Sequence, residues 1–324
     1  DEHPALSSLA LTALNRDPNT AKPLDTESLQ ESYEWVLSQQ KDDGGVYVEG
    51  LATYNTSTAI MALLARNDPS DHTAILRARA FLVGQQTNWG EAEIGDSEFD
   101  GGIGYGGTYE HSDMSNTHLA LEAIYHTKKL AFDQTTEEQG SLDWEGALQF
   151  ISRCQNLTET NDQVWATDEE SEKGGFVYFP GSSKAGEKPL KDETTALRSY
   201  GSMSYAGLLS LVFADLTEDD PRVSTALEWL GENFTVEENP GMENQGLFYY
   251  YQAMAKAMAA SGQLTLEKKD GQTVDWRMEL GEKLVSIQQP NGSWKNETSR
   301  WWENDPILVT SYAVLALEQL YYTM

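Results

Sequence analysis

The sequence predicts an all-α fold, an (α/α)6 toroid that lacks its first outer helix. Three observations carry that prediction. A glycine phrase running into a polar helix start recurs along the chain. It stands at Gly44-Gly45-Val46-Tyr47, Gly101-Gly102-Ile103-Gly104-Tyr105-Gly106-Gly107 and Gly174-Gly175-Phe176-Val177-Tyr178. It returns at Gly246-Leu247-Phe248-Tyr249 and at Gln288-Gln289-Pro290-Asn291-Gly292-Ser293-Trp294. A degenerate unit repeated on this scale marks stacked supersecondary repeats. Helices rich in Ala, Ser and Thr, apolar on more than one face, alternate with charged amphipathic ones, which separates a buried layer from an outer one.

Pro4 to Leu14 is the first buried helix; Ala5, Leu6, Leu9, Ala13 and Leu14 fall near helical spacing, and Pro4 suits a first turn. Asp25 or Thr26 caps an outer helix to about Gln40, with Leu29, Tyr33, Val36 and Leu37 on one face. Thr53 to Arg66 is buried and Thr73 to Gln86 is outer. Thr87 to Tyr109 is a loop, and Ser115 to about Lys128 is the next buried helix. Ser141 or Asp143 starts an outer helix that ends at Cys154. Residues 156–193 form the longest irregular stretch, of a size that often serves function or stays mobile.

A buried helix is expected from near Thr194 to Phe213, with a break at Gly201. Asp219-Asp220-Pro221 starts an outer helix to Phe234. Leu247 to Ala260 is buried, and Asp270-Gly271 is a turn between two short strands. Trp276 to Gln289 is outer, and Ile307 to Leu320 is the last buried helix. Six buried and five outer helices leave the toroid one outer helix short. Residues 1–324 are therefore expected as a single α/α domain of a polypeptide that continues upstream of Asp1.

Composition narrows the function. The 324 residues carry 52 Asp and Glu against 22 Lys and Arg, a formal net charge of -30. Such a surface repels nucleic acid, so no nucleic-acid partner is expected. It suits a saline or extracytoplasmic setting, with a cytoplasmic one left open. No apolar run approaches a transmembrane span. Cys154 is the single cysteine, which excludes an intrachain disulfide and a cysteine metal cluster.

The helix ends Leu37-Ser38-Gln39-Gln40, Leu82-Val83-Gly84-Gln85-Gln86, Ile151-Ser152-Arg153-Cys154-Gln155 and Val285-Ser286-Ile287-Gln288-Gln289 belong to this pattern. With the glycines, aromatics and Ala-Leu helices that follow, they resemble the prenyltransferase and squalene-oxidase repeat. That repeat is found in squalene–hopene cyclases and protein prenyltransferase β subunits. The resemblance covers nearly the whole chain, is closest to uncharacterised bacterial proteins with this repeat, and implies the terpenoid cyclase/protein prenyltransferase toroid. The family's cyclases protonate an alkene or epoxide with an Asp-x-Asp-Asp cluster, which this sequence lacks; Asp42-Asp43 and Asp219-Asp220 are adjacent acids at turns. The family's transferases hold zinc with an Asp-x-Cys pair and a later histidine. The matching positions here, Asp113-Met114-Ser115 and Val309-Thr310-Ser311-Tyr312, offer no thiolate and no histidine, so no metal site is expected. No cofactor is implied.

In such a toroid the buried helices gather their N-termini at one end, with unpaired backbone N–H groups and partial positive charge. An anionic ligand would suit that end. Candidate catalytic residues there are His111, Asp113 and Asp305. Candidate ligand-binding residues are Tyr54, Asn55, Tyr105, Asn116, Tyr205, Tyr250, Trp301 and Trp302. Asp113 either orients His111 as a base or caps the helix from Ser115. His118 reads as a packed core histidine. Trp301-Trp302-Glu303-Asn304-Asp305 is a sugar platform, a cavity wall, or a loop lock in which Asp305 caps the last helix.

Three functions stay open. The first is a binding or scaffold protein with a central cavity. The second is a terpenoid cyclase- or prenyltransferase-like enzyme acting on an isoprenoid. The third is a polysaccharide lyase or glycoside hydrolase; hydrolysis would need two opposed carboxylates, such as Asp113 or Glu49 with Asp305. Candidate partners are an apolar or carbohydrate small molecule in the barrel, or another protein.

Overall fold

The computed structural model describes residues 3–18, 26–87, 97–106, 111–134, 141–190 and 195–323. Asp25, Gly107, Thr194 and the loop positions 88–96 and 108–109 lie outside them. The chain divides into two compact units, Asp1–Ala147 and Leu148–Met324.

The first unit holds α1 (Pro4–Arg16), α2 (Thr26–Ser38), α3 (Ala52–Arg66), α4 (His72–Val83), α5 (Met114–His126), α6 (Lys128–Gln134) and the start of α7 (Trp144–Arg153). α3 packs against both α1 and α5, α2 covers α1, and α4 covers α3 and α5. The second unit holds β1 (Glu187–Pro189), β2 (Thr195–Leu197), α8 (Gly201–Phe213), α9 (Pro221–Glu232), α10 (Leu247–Ala260), β3 (Leu266–Glu267), β4 (Thr273–Val274), α11 (Trp276–Ser286) and α12 (Pro306–Thr323). Here α10 packs against α8 and α12, α9 covers α8 and α11 covers α12. The helices predicted as inner are the buried ones: Ala59, Ile60, Ala120, Leu121, Leu208, Leu211, Met254, Ala257, Ala313 and Ala316 are closed to solvent or nearly so.

One stretch differs from the sequence expectation. Thr195–Leu197 is a strand, because Glu187 to Pro189 pair with it antiparallel, Glu187 opposite Leu197. The helix expected from Thr194 starts only at Gly201, where an added Cβ would lie 2.6 Å from the Pro240 ring. Residues 156–190 are fastened rather than loose. Asn156 Nδ2 donates to the Leu197 carbonyl and to Ser199 Oγ, each at 2.9 Å, and Leu157, Phe176 and Val177 are core residues.

The glycine phrases are the joints of the fold. Gln40 Nε2 donates to the Gly44 carbonyl and, on the next outer helix, to the Ala74 carbonyl, both at 2.9 Å. Gln86 joins Gly101 (2.9 Å) to Asp143 (2.8 Å), and Gln155 joins Gly174 to Arg222, both at 2.9 Å. The glycine of each joint sits against a backbone carbonyl of that same outer helix. A Cβ would lie 2.4 Å from Arg77 O at Gly44, 2.0 Å from Gly146 O at Gly101 and 2.1 Å from Thr225 O at Gly174. Their φ angles of 95°, 81° and 89° disfavour other residues independently.

The phrase then turns inward. Val46, Ile103, Phe176 and Trp294 N–H groups donate to the side chains of Thr56 (2.9 Å), Thr117 (2.9 Å), Ser204 (3.0 Å) and Thr310 (3.1 Å) on the inner helices. The hydroxyl residues of the predicted polar helix starts are thus acceptors for the incoming chain. The Gly246 phrase departs from the pattern. α9 ends without the glutamine, and β3 packs on it, with the Glu267 carbonyl 2.1 Å from a Cβ placed on Gly231.

Gly101→Ala combines a left-handed φ with a backbone clash, so it should cost upwards of about 3 kcal/mol in chemical denaturation. Gly292→Ala, also left-handed but with nothing within 4 Å, should cost only about 1 kcal/mol. Equal losses at the two sites would contradict this origin of the repeat.

Candidate functional site

The inner-helix starts, where the candidate residues fall, are closed by the chain's own groups. Ala5 N–H of α1 donates to Asn55 Oδ1 at 3.0 Å. Thr53 N–H of α3 donates to the Tyr105 carbonyl at 3.3 Å. α5 is capped by Asp113, and Ser202 N–H of α8 donates to Asn239 Oδ1 at 2.9 Å. Tyr249 N–H of α10 donates to Glu303 Oε1 at 2.8 Å, and Ile307 N–H of α12 to Asp305 Oδ1 at 2.7 Å. At each of these starts at least one N–H that an anion could take is thus held by an oxygen of the chain itself. The positive helix ends attract the chain's own carboxylates and amide oxygens first.

Asp113 is fully buried. Its Oδ1 accepts the Asn116 backbone N–H at 2.9 Å and its Oδ2 accepts Asn116 Nδ2 at 2.8 Å. That second bond fixes the Asn116 amide and leaves its buried Oδ1 without a partner among the described residues. Burial pushes the Asp113 carboxyl up to about 6, against the two Asn116 bonds and the nearby His111, which favour the carboxylate. His111 is half-buried with its ring stacked on Phe99, centroids 5.4 Å apart. A carboxyl in this setting keeps its proton into the mildly acidic range and can donate it, or take one up above that range. His118 is buried in the core, its Nδ1 2.8 Å from the Ser115 carbonyl.

Tyr54 is half-buried on α3, beside Asn55. In the second unit Tyr205 and Tyr250 are buried with ring centroids 5.6 Å apart. Tyr250 Oη donates to the Thr235 carbonyl at 2.7 Å, and burial raises both phenols well above their ordinary range. Trp301 and Trp302 are exposed at 44% and 55% on a short 3-10 turn, both with left-handed φ, 55° and 64°. The Arg300 guanidinium stacks on the Trp301 ring at 4.3 Å. Asp305 is half-buried and caps α12.

The structure therefore gathers His111, Asp113 and Asn116 at one helix start, and Tyr205 with Tyr250 at another place. Trp301, Trp302 and Asp305 share one loop. Sequence reasoning missed Glu303, whose carboxylate is buried between α10 and Asn296 Nδ2, 2.6 Å away. Burial raises this carboxyl, and the backbone N–H groups of Tyr249, Phe248 and Leu247 temper the rise. The available signal was α10 itself, which begins after Gly246 with no capping side chain. Among the described residues no cluster of three or more His, Cys, Asp and Glu could hold a metal ion. Likewise, no helix there is long and apolar enough to cross a membrane.

With a folded value of about 6 against an ordinary 3.8, Asp113 binds a proton in the folded chain that the unfolded chain has released. Its stabilising contribution is full below the unfolded value and is lost as pH rises through about 6. Relative to Asp113→Asn, the wild-type chain should lose about 1 kcal/mol of unfolding free energy between pH 5 and pH 7. A pH-independent difference would contradict the buried, proton-retaining carboxyl.

No family model matches the chain, and no curated protein matches it. Solved structures do. A variant of the type II terpene cyclase MstE from Scytonema, in complex with its substrate geranylgeranyl dihydroxybenzoate, is 12% identical with a TM-score of 0.54 over 99% of this chain and 88% of that one. The apo form of MstE gives 12% and 0.52 over the same shares. Protein geranylgeranyltransferase-I of Candida albicans, complexed with GGPP, is 14% identical with a TM-score of 0.55 over 98% of this chain and 84% of that one. These are proteins of stated activity rather than uncharacterised bacterial repeat proteins. At such identities the likeness shows the fold, the all-α toroid class of terpenoid cyclases and protein prenyltransferases.

Proposed function

We propose that this chain binds an isoprenoid-like apolar molecule and performs acid chemistry on it, with Asp113 as the proton donor. The observation that carries the reading is the fully buried Asp113 carboxyl, raised to about 6 and held on both oxygens by Asn116. Burial keeps the proton in place, and the two Asn116 bonds stabilise the carboxylate left after the proton moves to an alkene carbon. One carboxyl would thus serve where the resembling cyclases use an Asp-rich cluster. The fold class supports an apolar polyprenyl ligand over a carbohydrate. The second reading, a binding protein without chemistry, is favoured by the same Asp113 acting as an ordinary helix cap.

Geranylgeranyl dihydroxybenzoate, the substrate bound by the Scytonema cyclase, is a suitable probe. The wild-type chain should convert it to isomers of unchanged mass, with the rate falling above about pH 6. Asp113→Asn should still bind it and lose at least about 100-fold in rate. Tight binding with no conversion by the wild type supports the binding-protein reading, and conversion that survives Asp113→Asn removes Asp113 from the role.

A further inference from the structure

Three buried oxygens near Asp113 have no hydrogen-bond partner among the described residues: Thr53 Oγ1, Ser57 Oγ and Asn116 Oδ1. Their residues are 0%, 1% and 1% exposed. An unmatched buried polar atom costs free energy, and folded proteins hold few of them. Hydroxyls within helices ordinarily turn back onto their own backbone. Thr12, Thr58 and Ser210 each donate to the carbonyl four residues earlier. Ser57 does not.

All three atoms belong to the first unit, where α3 packs against α5. Asn55 Oδ1 accepts an N–H at the start of α1, the inner helix before its own. Asn116 stands in the same register, one residue before the hydroxyl that receives the glycine phrase, Thr56 on α3 and Thr117 on α5. Its amide is therefore turned toward α3. Thr53 and Ser57 lie about 160° around α3 from Asn55, on the side away from α1 and toward α5. Residues 103–105 tie the two starts together. Ile103 N–H donates to Thr117 Oγ1 at 2.9 Å, and Thr53 N–H donates to the Tyr105 carbonyl at 3.3 Å. Further along the same side of α3 come Met61 and Leu64, both half-buried. A polar end and an apolar, partly open strip thus follow each other along one helix face.

These atoms select the group they would take. Asn116 Oδ1 only accepts, so it requires a donor, whereas the Thr53 and Ser57 hydroxyls can donate or accept. A diphosphate brings acceptor oxygens and negative charge to a buried place, on a chain whose formal net charge is already -30. A neutral hydroxyl meets both needs: it donates to Asn116 Oδ1 and accepts from a hydroxyl of α3. We propose that Thr53, Ser57 and Asn116 bind the hydroxyl group of an alcohol whose apolar chain runs along Met61 and Leu64. The inference rests on the isoprenoid reading and names its substrate class, a prenyl alcohol rather than a prenyl diphosphate.

Equilibrium titration with three probes tests it: geranylgeraniol, the hydrocarbon of the same chain without the hydroxyl, and geranylgeranyl diphosphate. At pH 8 Asp113 has released its proton, so binding is read without conversion and does not depend on the acid role. The alcohol should bind at least about tenfold more tightly than the hydrocarbon, and the diphosphate no better than the hydrocarbon. Thr53→Val combined with Ser57→Ala should abolish the preference by weakening the alcohol alone. Without ligand these substitutions remove only unmatched hydroxyls, so the denaturation midpoint should not fall. A fall would show that a fixed internal partner already holds them, and overturns the proposal. Equal affinity for alcohol and hydrocarbon, or tighter binding of the diphosphate, overturns it while the isoprenoid reading stands. Binding of none of the three overturns both.

Discussion

At three of the glycine phrases, those after Gln40, Gln86 and Gln155, a side-chain amide with two protons holds one repeat to the next. Gln86 and Gln155 are buried, and each spends both Nε2 protons on backbone carbonyls, one in the glycine phrase and one at an outer-helix start. One such bond contributes only about 1 kcal/mol net, but leaving a buried carbonyl unmatched costs more. The amide can reach both carbonyls only because a glycine lets two backbones meet, which ties glutamine and glycine together as one unit. The rest follows from that contact: the phrase must turn inward, and its next N–H must find a hydroxyl on the inner helix.

The same geometry makes the chemistry. Chain that enters from the phrase reaches the inner-helix starts where solvent is excluded, so those starts need caps from within the protein. Some caps are local, as at Asp113 and Asp305. Others come from far along the sequence, as Asn239 does for α8 and Glu303 for α10. Burial decides what a capping acid can do. Asp305 keeps partial contact with water, whereas Asp113 and Glu303 have lost it and hold their protons more tightly. A structural requirement at a helix end thereby yields a carboxyl suited to proton transfer.

Much of this was legible in the residues. The glycine phrases, the alternation of buried and charged helices, and the helix starts at Pro4, Pro221 and Leu247 rest on local rules, and they appear in the structure. Asp113 was visible as a cap from its position ahead of Ser115 and Asn116. The rest depends on distant partners. Thr195–Leu197 carries no strand pattern of its own and is extended because Glu187–Pro189 lies beside it. Glu303 acts on Tyr249, 54 residues earlier, and a run of Trp, Trp and acids drew attention to Asp305 instead. The protonation of Asp113 was not legible either, since it depends on exclusion of water by the packed unit rather than on neighbours in sequence.

The most direct measurement is site-resolved amide hydrogen exchange at Val46, Ile103, Phe176 and Trp294. If the phrase-to-helix bonds organise the fold, these four N–H groups exchange only through global unfolding, as slowly as the centres of the inner helices. Exchange at the rate of exposed loops, while the inner helices stay protected, would show that the phrases merely decorate a fold held together elsewhere.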